Sequence, residues 1–272
     1  MLNNVRPVGD LLREWRQRRH LSQLALACEA EISTRHLSFL ESGRSLPSHE
    51  MILHLAERLN VPLRERNVLI MAAGYAPIFA ERPLGDPALR SARRAIDLVL
   101  AGHEPYPAIA VDRHWTLVAS NKTIAPLVAG ASPELMRPPI NVLRLGLHPN
   151  GMAPRITNFP EWRSHLIARL RHQIYVTADP ILKQLMSEIL SYSMPRKAAR
   201  AGPDCEEYAG VVVPLQLSTE DGTLSFFSTT TVFGTPVDIT LAELALESFF
   251  PADTATAKTL HRLAGRTGTD DK

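Results

Sequence analysis

Residues 21–47, LSQLALACEAEISTRHLSFLESGRSLP, decide the reading of the first part of the chain. Two short helical patterns sit in this stretch, joined by a tight connection. Ser22 stands as an N-cap ahead of Leu24, Leu26 and Ala27, because a serine oxygen accepts one of the unpaired N–H groups of a helix start. Ser33 does the same for a second helix, Thr34 through Glu41. Ser42-Gly43 stops it, since glycine takes the left-handed backbone that a helix end often needs. In the second helix Leu37 and Leu40 share one face, and Thr34, Arg35, Ser38 and Phe39 share the other. A short helix with a small apolar face and an outer face of Thr, Arg and Ser suits insertion into a DNA major groove.

Helical periodicity continues on both sides. Val8, Leu11, Leu12 and Trp15 form the inner stripe of a helix over Val8–Arg19. Ser48 caps a fourth helix through Leu59, and Leu63–Ala73 supplies a fifth that ends at Gly74. The spacing therefore predicts a five-helix domain over residues 1–74. On its outer face Thr34, Arg35, Ser38 and Phe39 are the expected base contacts. Gln23, Ser33, Arg44, Arg16 and Arg19 are the expected phosphate contacts. For the arginines the plainer reading is a solvated helix surface. An alternative for the whole head is a protein–protein interaction module, such as an antitoxin or adaptor.

This head resembles the helix-turn-helix of the xenobiotic-response-element (lambda-repressor-like) family over residues 8–73. The resemblance rests on Leu21-Ser22-Gln23, Ala27, Ile32-Ser33 and the closing Leu40-Glu41-Ser42-Gly43-Arg44 followed by Pro47. Ala30-Glu31 departs from it, standing where family members usually carry a glycine. Leu24 and Leu26 replace the usual glutamates of that helix.

The net charge of +2 is too small to coat nucleic acid indiscriminately, so DNA binding must depend on where the cations sit. No run of about 18 apolar residues occurs, and MLNNVRPVGD does not read as a signal peptide, so a cytoplasmic protein without membrane contact is expected. Cys28 and Cys205 lie far apart with no C-x-x-C companion, which offers no disulfide framework or zinc site. His165 and His172 share a helical face but have no third ligand at matching spacing. G-x-S-x-G, Walker and G-x-G-x-x-G patterns are missing. A binding protein with no catalytic residue, cofactor or metal is the expectation.

Residues 75–104 read as linker and connector helix. Residues 74–87 hold three prolines and two glycines, and Asp86-Pro87 opens a helix with Leu89, Ala92, Ile96 and Val99 on one stripe. That stripe is either a dimer seam or a packing face. Gly74–Pro107 is read as the sole covalent path between the two halves. Beyond it come two β-prone runs, Ala108–Val111 and Trp115–Ser120, split by Asp112-Arg113-His114. Asn121 is read as the cap of a short helix to Ala129, and Asn141–Leu147 as another apolar segment. Helices over Phe159–Tyr175 and from Asp179-Pro180 follow. Pro195–Glu207 is a polar loop. Strands are expected near Val211–Ser218, Thr223–Phe233 and Ile239–Phe249, then a helix from Asp253 and a frayed tail at 265–272.

Two strands, helices, then three strands is the order of a PAS-like α+β sensor domain, here 105–264. The segment resembles the MmyB-like ligand-binding domain. It carries Pro105-Tyr106-Pro107, Val111-Asp112-Arg113, Ala119-Ser120-Asn121, Asn141-Val142-Leu143-Arg144 with His148-Pro149, Glu161-Trp162-Arg163, Arg169-Leu170-Arg171 and Glu247-Ser248-Phe249. That resemblance implies a small apolar ligand, such as a fatty acid or acyl derivative. At roughly 0.8 kcal/mol per buried methylene, a ten-carbon chain gains about 8 kcal/mol before the costs of binding. The expected ligand contacts are Leu143, Leu147, Trp162, Leu166, Leu170, Phe226 and Phe249, with Arg144 and Arg169 as cations for a carboxylate head. The overall expectation is α+β: an all-α lambda-repressor-like DNA-binding domain, then a PAS-like sensor. The partners are a double-stranded DNA operator, an apolar ligand and a second copy of the chain.

Overall fold

The computed structural model describes residues 6–193, 213–234, 236 and 238–267. The chain forms two units. The first runs to Arg82 and also takes in Pro236–Ala242; the second holds Pro83–Thr235 and the chain from Glu243 onward. Helices α1 (Val8–Arg18), α2 (Gln23–Glu29), α3 (Thr34–Glu41), α4 (His49–Arg58) and α5 (Leu63–Ala72) build the first unit. The second contains α6 (Arg90–Gly102), β1 (Ala108–Val111), β2 (Leu117–Ser120), α7 (Ile124–Val128), α8 (Val142–Leu147), α9 (Phe159–Thr177) and α10 (Pro180–Ser191). After β3 (Leu215–Thr219) and β4 (Gly222–Val232), the turn of helix α11 (Ile239–Ala242) returns to the first unit. Then β5 (Ala245–Pro251) and α12 (Thr254–Thr267) complete the second.

In the head, Leu12, Leu26, Leu37, Leu40, Ile52, Leu55 and Leu69 are fully buried in one core. Ser22, Ser33 and Ser48 cap as their positions imply, accepting from the N–H of Ala25, His36 and Met51 at 3.0, 3.1 and 3.2 Å. The first five helices each end at a left-handed residue: His20, Glu31, Gly43, Asn60 and Gly74. At Glu31 the φ of 55° places a β-carbon where glycine is the unstrained choice. The cap still closes, with Glu31 N–H on the Cys28 carbonyl at 3.2 Å and Ile32 N–H on that of Ala27 at 2.9 Å. Gly9 serves a different end: a β-carbon there would lie 2.4 Å from the Leu40 carbonyl oxygen, so glycine lets α1 press against the end of α3.

The head does not stop at residue 74. Asn67, itself buried, binds the backbone of the following segment through three hydrogen bonds, to Phe79 O at 2.8 Å and from Ile78 N and Phe79 N at 3.1 Å each. Ala80 then pairs in parallel with Asp238, and the Ile239 N–H donates to the Ala80 carbonyl at 2.8 Å. Asp238 is fully buried and accepts from Arg82 Nη1 at 3.0 Å, while Thr240 Oγ1 donates to the Arg82 carbonyl at 2.6 Å. Residues 75–82, expected as linker, are therefore part of the head. The chain passes between the units three times, not once as the sequence implied. The single strand expected over Ile239–Phe249 is also corrected. Asp238 Oδ1 accepts from Thr240 N–H at 2.9 Å and starts a helical turn, so the strand begins at Ala245.

In the second unit one antiparallel sheet runs β2-β1-β5-β4-β3. Along the chain, two strands, then helices, then three strands follow as expected for an α+β, PAS-like domain. The strands alternate faces as the two-residue pleat requires. Ala108, Ala110, Leu244 and Leu246 meet Ile96 and Leu100 of α6 on one side. Val99 was expected on that stripe but is exposed, and Leu100 takes its place. The other side carries the larger core, including Phe159, Trp162, Leu182, Leu217, Phe226 and Leu260. Asn121 does not cap α7, which starts at Ile124. Its amide instead accepts from Ala108 N and donates to the carbonyls of Leu100 and Tyr106, at 3.2, 3.2 and 2.7 Å. Asn141, Asp179 and Asp253 do cap α8, α10 and α12. The final helix reaches Thr267, past the expected start of the tail. Pro195–Glu207, with Cys205, and Val211 lie outside the described residues.

Replacing Glu31 with glycine removes the left-handed strain and is expected to stabilise the protein by about 1 kcal/mol. The urea midpoint of the Glu31→Gly variant checks this, and an unchanged or lower midpoint would contradict it.

Candidate functional site

Two places concentrate chemistry. The first is the outer face of α3. Leu37 and Leu40 anchor it inward, leaving Thr34, Arg35, Ser38 and Phe39 at or near the surface. The guanidinium groups of Arg35 and Arg44 both lie over the Phe39 ring, 5.3 and 5.8 Å from its centre. Both arginines are exposed. Phe39 is thus a platform that holds two cations beside the helix.

Behind this face sits Glu41, 1% exposed, a residue the sequence reading did not single out. Arg16 grips its carboxylate as a fork, Nε to Oε1 at 2.6 Å and Nη2 to Oε2 at 2.8 Å. Gln23 Nε2 donates to Oε2 at 2.8 Å, and Arg13 Nη2 donates to the Glu41 backbone carbonyl at 2.8 Å. Burial opposes the charge, but Arg16, Gln23 and Arg13 outweigh it and hold the carboxyl below its ordinary range. Three helices, α1, α2 and α3, are tied at this one group.

This placement corrects three of the five expected phosphate contacts, Gln23, Arg16 and Arg19. The Gln23 amide and Arg16 fork face inward to Glu41, and Arg16 Nη1 also donates to the Leu21 carbonyl at 2.8 Å. Arg19 donates to the carbonyls of Leu59 and Asn60 at 2.8 and 3.0 Å, closing the end of α4. Ser33 Oγ is taken by its own helix cap. Arg44 and Ser33 are the two of the five that are exposed. A buried glutamate at the end of a Leu-Glu-Ser-Gly run was the signal that would have found the network.

The second place is a cavity of about 120 Å³ between the sheet and helices α7, α8 and α9. Leu143, Trp162, Leu166, Phe226 and Phe249 line it, together with residues such as Ile109, Leu127 and Met152 that the sequence reading did not name. Leu147 and Leu170 belong to the same core but not to the wall. Neither expected carboxylate partner reaches into it. Arg144 forks onto Glu188, Nε to Oε1 at 2.8 Å and Nη2 to Oε2 at 2.7 Å. Arg169 Nη1 donates to Glu247 Oε1 at 2.6 Å, with its guanidinium 4.9 Å from the Trp115 ring centre. Glu247, 4% exposed, is the sole charged residue on the wall.

Glu247 and Trp115 also border a polar cleft of about 480 Å³ that holds Asp112, Arg113, Arg169, His172 and Gln173. Trp115 is fixed by its indole N–H on Gln173 Oε1 at 2.7 Å. His165 stacks on Trp162 with ring centres 5.5 Å apart, and burial, then Arg169, pushes its pKa down. Among the described residues no group of three or more metal-binding side chains comes together. No helix among them is long and apolar enough to cross a membrane.

The Glu41 network gives the head an acid limit. A carboxyl held lower in the folded chain than its ordinary 4.5 adds stability above that pH, which is lost as the pH falls through the folded value. The urea midpoint should therefore drop below about pH 4. A Glu41→Gln variant should be less stable at neutral pH and lose much of that slope. An unchanged slope would remove the assignment.

Residues 12–66 match a helix-turn-helix family, and residues 92–263 match the MmyB-like transcription regulator ligand binding domain. No curated protein matches the chain.

Proposed function

Because the chain belongs to the transcription regulators with an MmyB-like ligand-binding domain, its match covering more than half the sequence, we propose that it is a regulator whose operator affinity follows occupation of the cavity behind Trp162. Its helix-turn-helix gives DNA as the partner of the head, and the matched sensor gives a small molecule as the partner of the second unit. The observation that carries the finer reading is the face of α3. Thr34, Arg35 and Ser38 stand opposite the buried Leu37 and Leu40, and Arg35 and Arg44 flank them on the Phe39 ring.

In this reading Arg35, Thr34 and Ser38 read base edges, Phe39 touches a thymine methyl, and Arg44 holds phosphate. The protein works in the cytoplasm as a binding protein without catalysis. One head spans few base pairs, so two copies bind an inverted repeat, with successive half-sites about 34 Å apart. The ligand is apolar, because the cavity wall is built almost wholly of aliphatic and aromatic side chains; an alkyl or acyl tail suits it. A ligand moves the operator equilibrium only by its preference for one arrangement of the protein, and about 1–3 kcal/mol gives roughly a 5–150-fold change.

A gel shift with the chain's own upstream DNA tests the reading, with and without an added amphiphile. Arg35→Ala should cost about 1–3 kcal/mol on the cognate site and relax one base-pair preference. Equal weakening on cognate and random DNA would end the base-reading role. Arg44→Ala should weaken both and flatten the salt slope by about one unit. Trp162→Arg, if circular dichroism shows it folded, should abolish the ligand response by placing a charge on an apolar wall.

A further inference from the structure

Resting on the reading of the apolar cavity as a ligand site, we propose that its occupant is an uncharged molecule with a hydroxyl, an alcohol or a phenol, which donates to Glu247 Oε2. Glu247 lies in β5 with Ile109 of β1 on one side and Thr230 of β4 on the other, well inside the sheet. Pleat alternation puts it on the same face as Phe249, which lines the cavity. Both hydrogen bonds it receives end on one oxygen. Arg169 Nη1 donates to Oε1 at 2.6 Å and Ser228 Oγ to the same atom at 3.0 Å. Oε2 accepts none among the described residues.

Glu247 is 4% exposed, so its second oxygen has little room for water, and a hydroxyl supplied by a ligand would give Oε2 a donor. The rest of the wall offers little to a polar head. Of its two indole N–H groups, that of Trp115 is held by Gln173, while that of Trp162 has no acceptor among the described residues. A hydroxyl donates, so it suits Glu247. An ionised carboxylate cannot donate, and it adds a second negative charge beside Glu247. Arg169 already serves Glu247 through Nη1 and Thr230 through Nη2, the latter at 3.1 Å. Glu247 also borders the polar cleft, so a head that reaches it keeps its tail on the apolar side.

The volume limits the size of the occupant. An apolar cavity of about 150 Å³ holds a benzene ring, so about 120 Å³ takes a single ring or a short chain before the wall adjusts.

The experiment is calorimetric titration of the full chain with three eight-carbon probes, octanol, methyl heptyl ether and octanoate, and with toluene as a purely apolar probe. Octanol is expected to bind about tenfold tighter than the ether, which lacks the donor, and than octanoate, which lacks it and is charged. Glu247→Gln keeps an oxygen for Arg169 and Ser228 but turns N–H₂ toward the open position. It should erase the advantage of octanol over the ether while leaving toluene within about twofold. Ether or octanoate binding as tightly as octanol would overturn the assignment of Glu247 while leaving the cavity as an apolar ligand site. Failure of octanol and toluene alike would overturn the cavity reading and this inference with it. If the variant does not fold, the ratios among the wild-type titrations decide alone.

Discussion

A carboxylate taken out of water has to be met by cations or hydrogen-bond donors, and three such groups hold this chain in place. Glu41 gathers α1, α2 and the end of α3; Asp238 fastens the piece Pro236–Ala242 beside Arg82; Glu247 ties the middle of the sheet to α9. Each is at least 96% buried and each has an arginine on it. Burial alone would make all three a liability. Because the partners come from distant points in the chain, their cost is met only when several elements are docked together. The charges thereby favour one arrangement over looser ones that the apolar core alone would tolerate.

The head was legible from local chemistry. Serines at Ser22, Ser33 and Ser48, and glycine at Gly43 and Gly74, act within a few residues of themselves, so their meaning survives without the fold. Glu31 shows the limit of that reasoning. The left-handed turn is kept by its backbone hydrogen bonds even though glycine is missing. What sequence spacing could not convey is direction at long range. Arg16, Arg19 and Gln23 carry residue types that suit phosphate, and each is spent on a carbonyl or carboxylate 5 to 41 residues away. Polar side chains near a surface helix were read as outward because their partners are invisible until the helices pack.

The sensor follows a similar division. The order of strands and helices was readable from alternation and breakers, and Asp179 and Asp253 cap as their positions imply. Asn121 was read by the same rule but binds three backbone groups from other segments. The cavity was harder. Leu143 and Leu147 lie one helical turn apart, as do Leu166 and Leu170, yet only the first of each pair borders the open space. Whether a buried leucine is wall or filling depends on where packing leaves a gap, which no single stretch of sequence encodes.

The segment Pro236–Ala242 makes the head discontinuous in the chain, and that bears on how such regulators are assembled. A head encoded as one uninterrupted stretch can be exchanged between proteins at a single junction. Here an exchange at residue 82 would carry Arg82 away from Asp238 and leave Ala80 without its bridge partner. A recombinant chimera, or an ancestral shuffling event, must move two stretches together, the second lodged between β4 and β5 of the sensor. A single junction at residue 82 therefore transfers an incomplete head, and a working exchange has to carry Pro236–Ala242 with it.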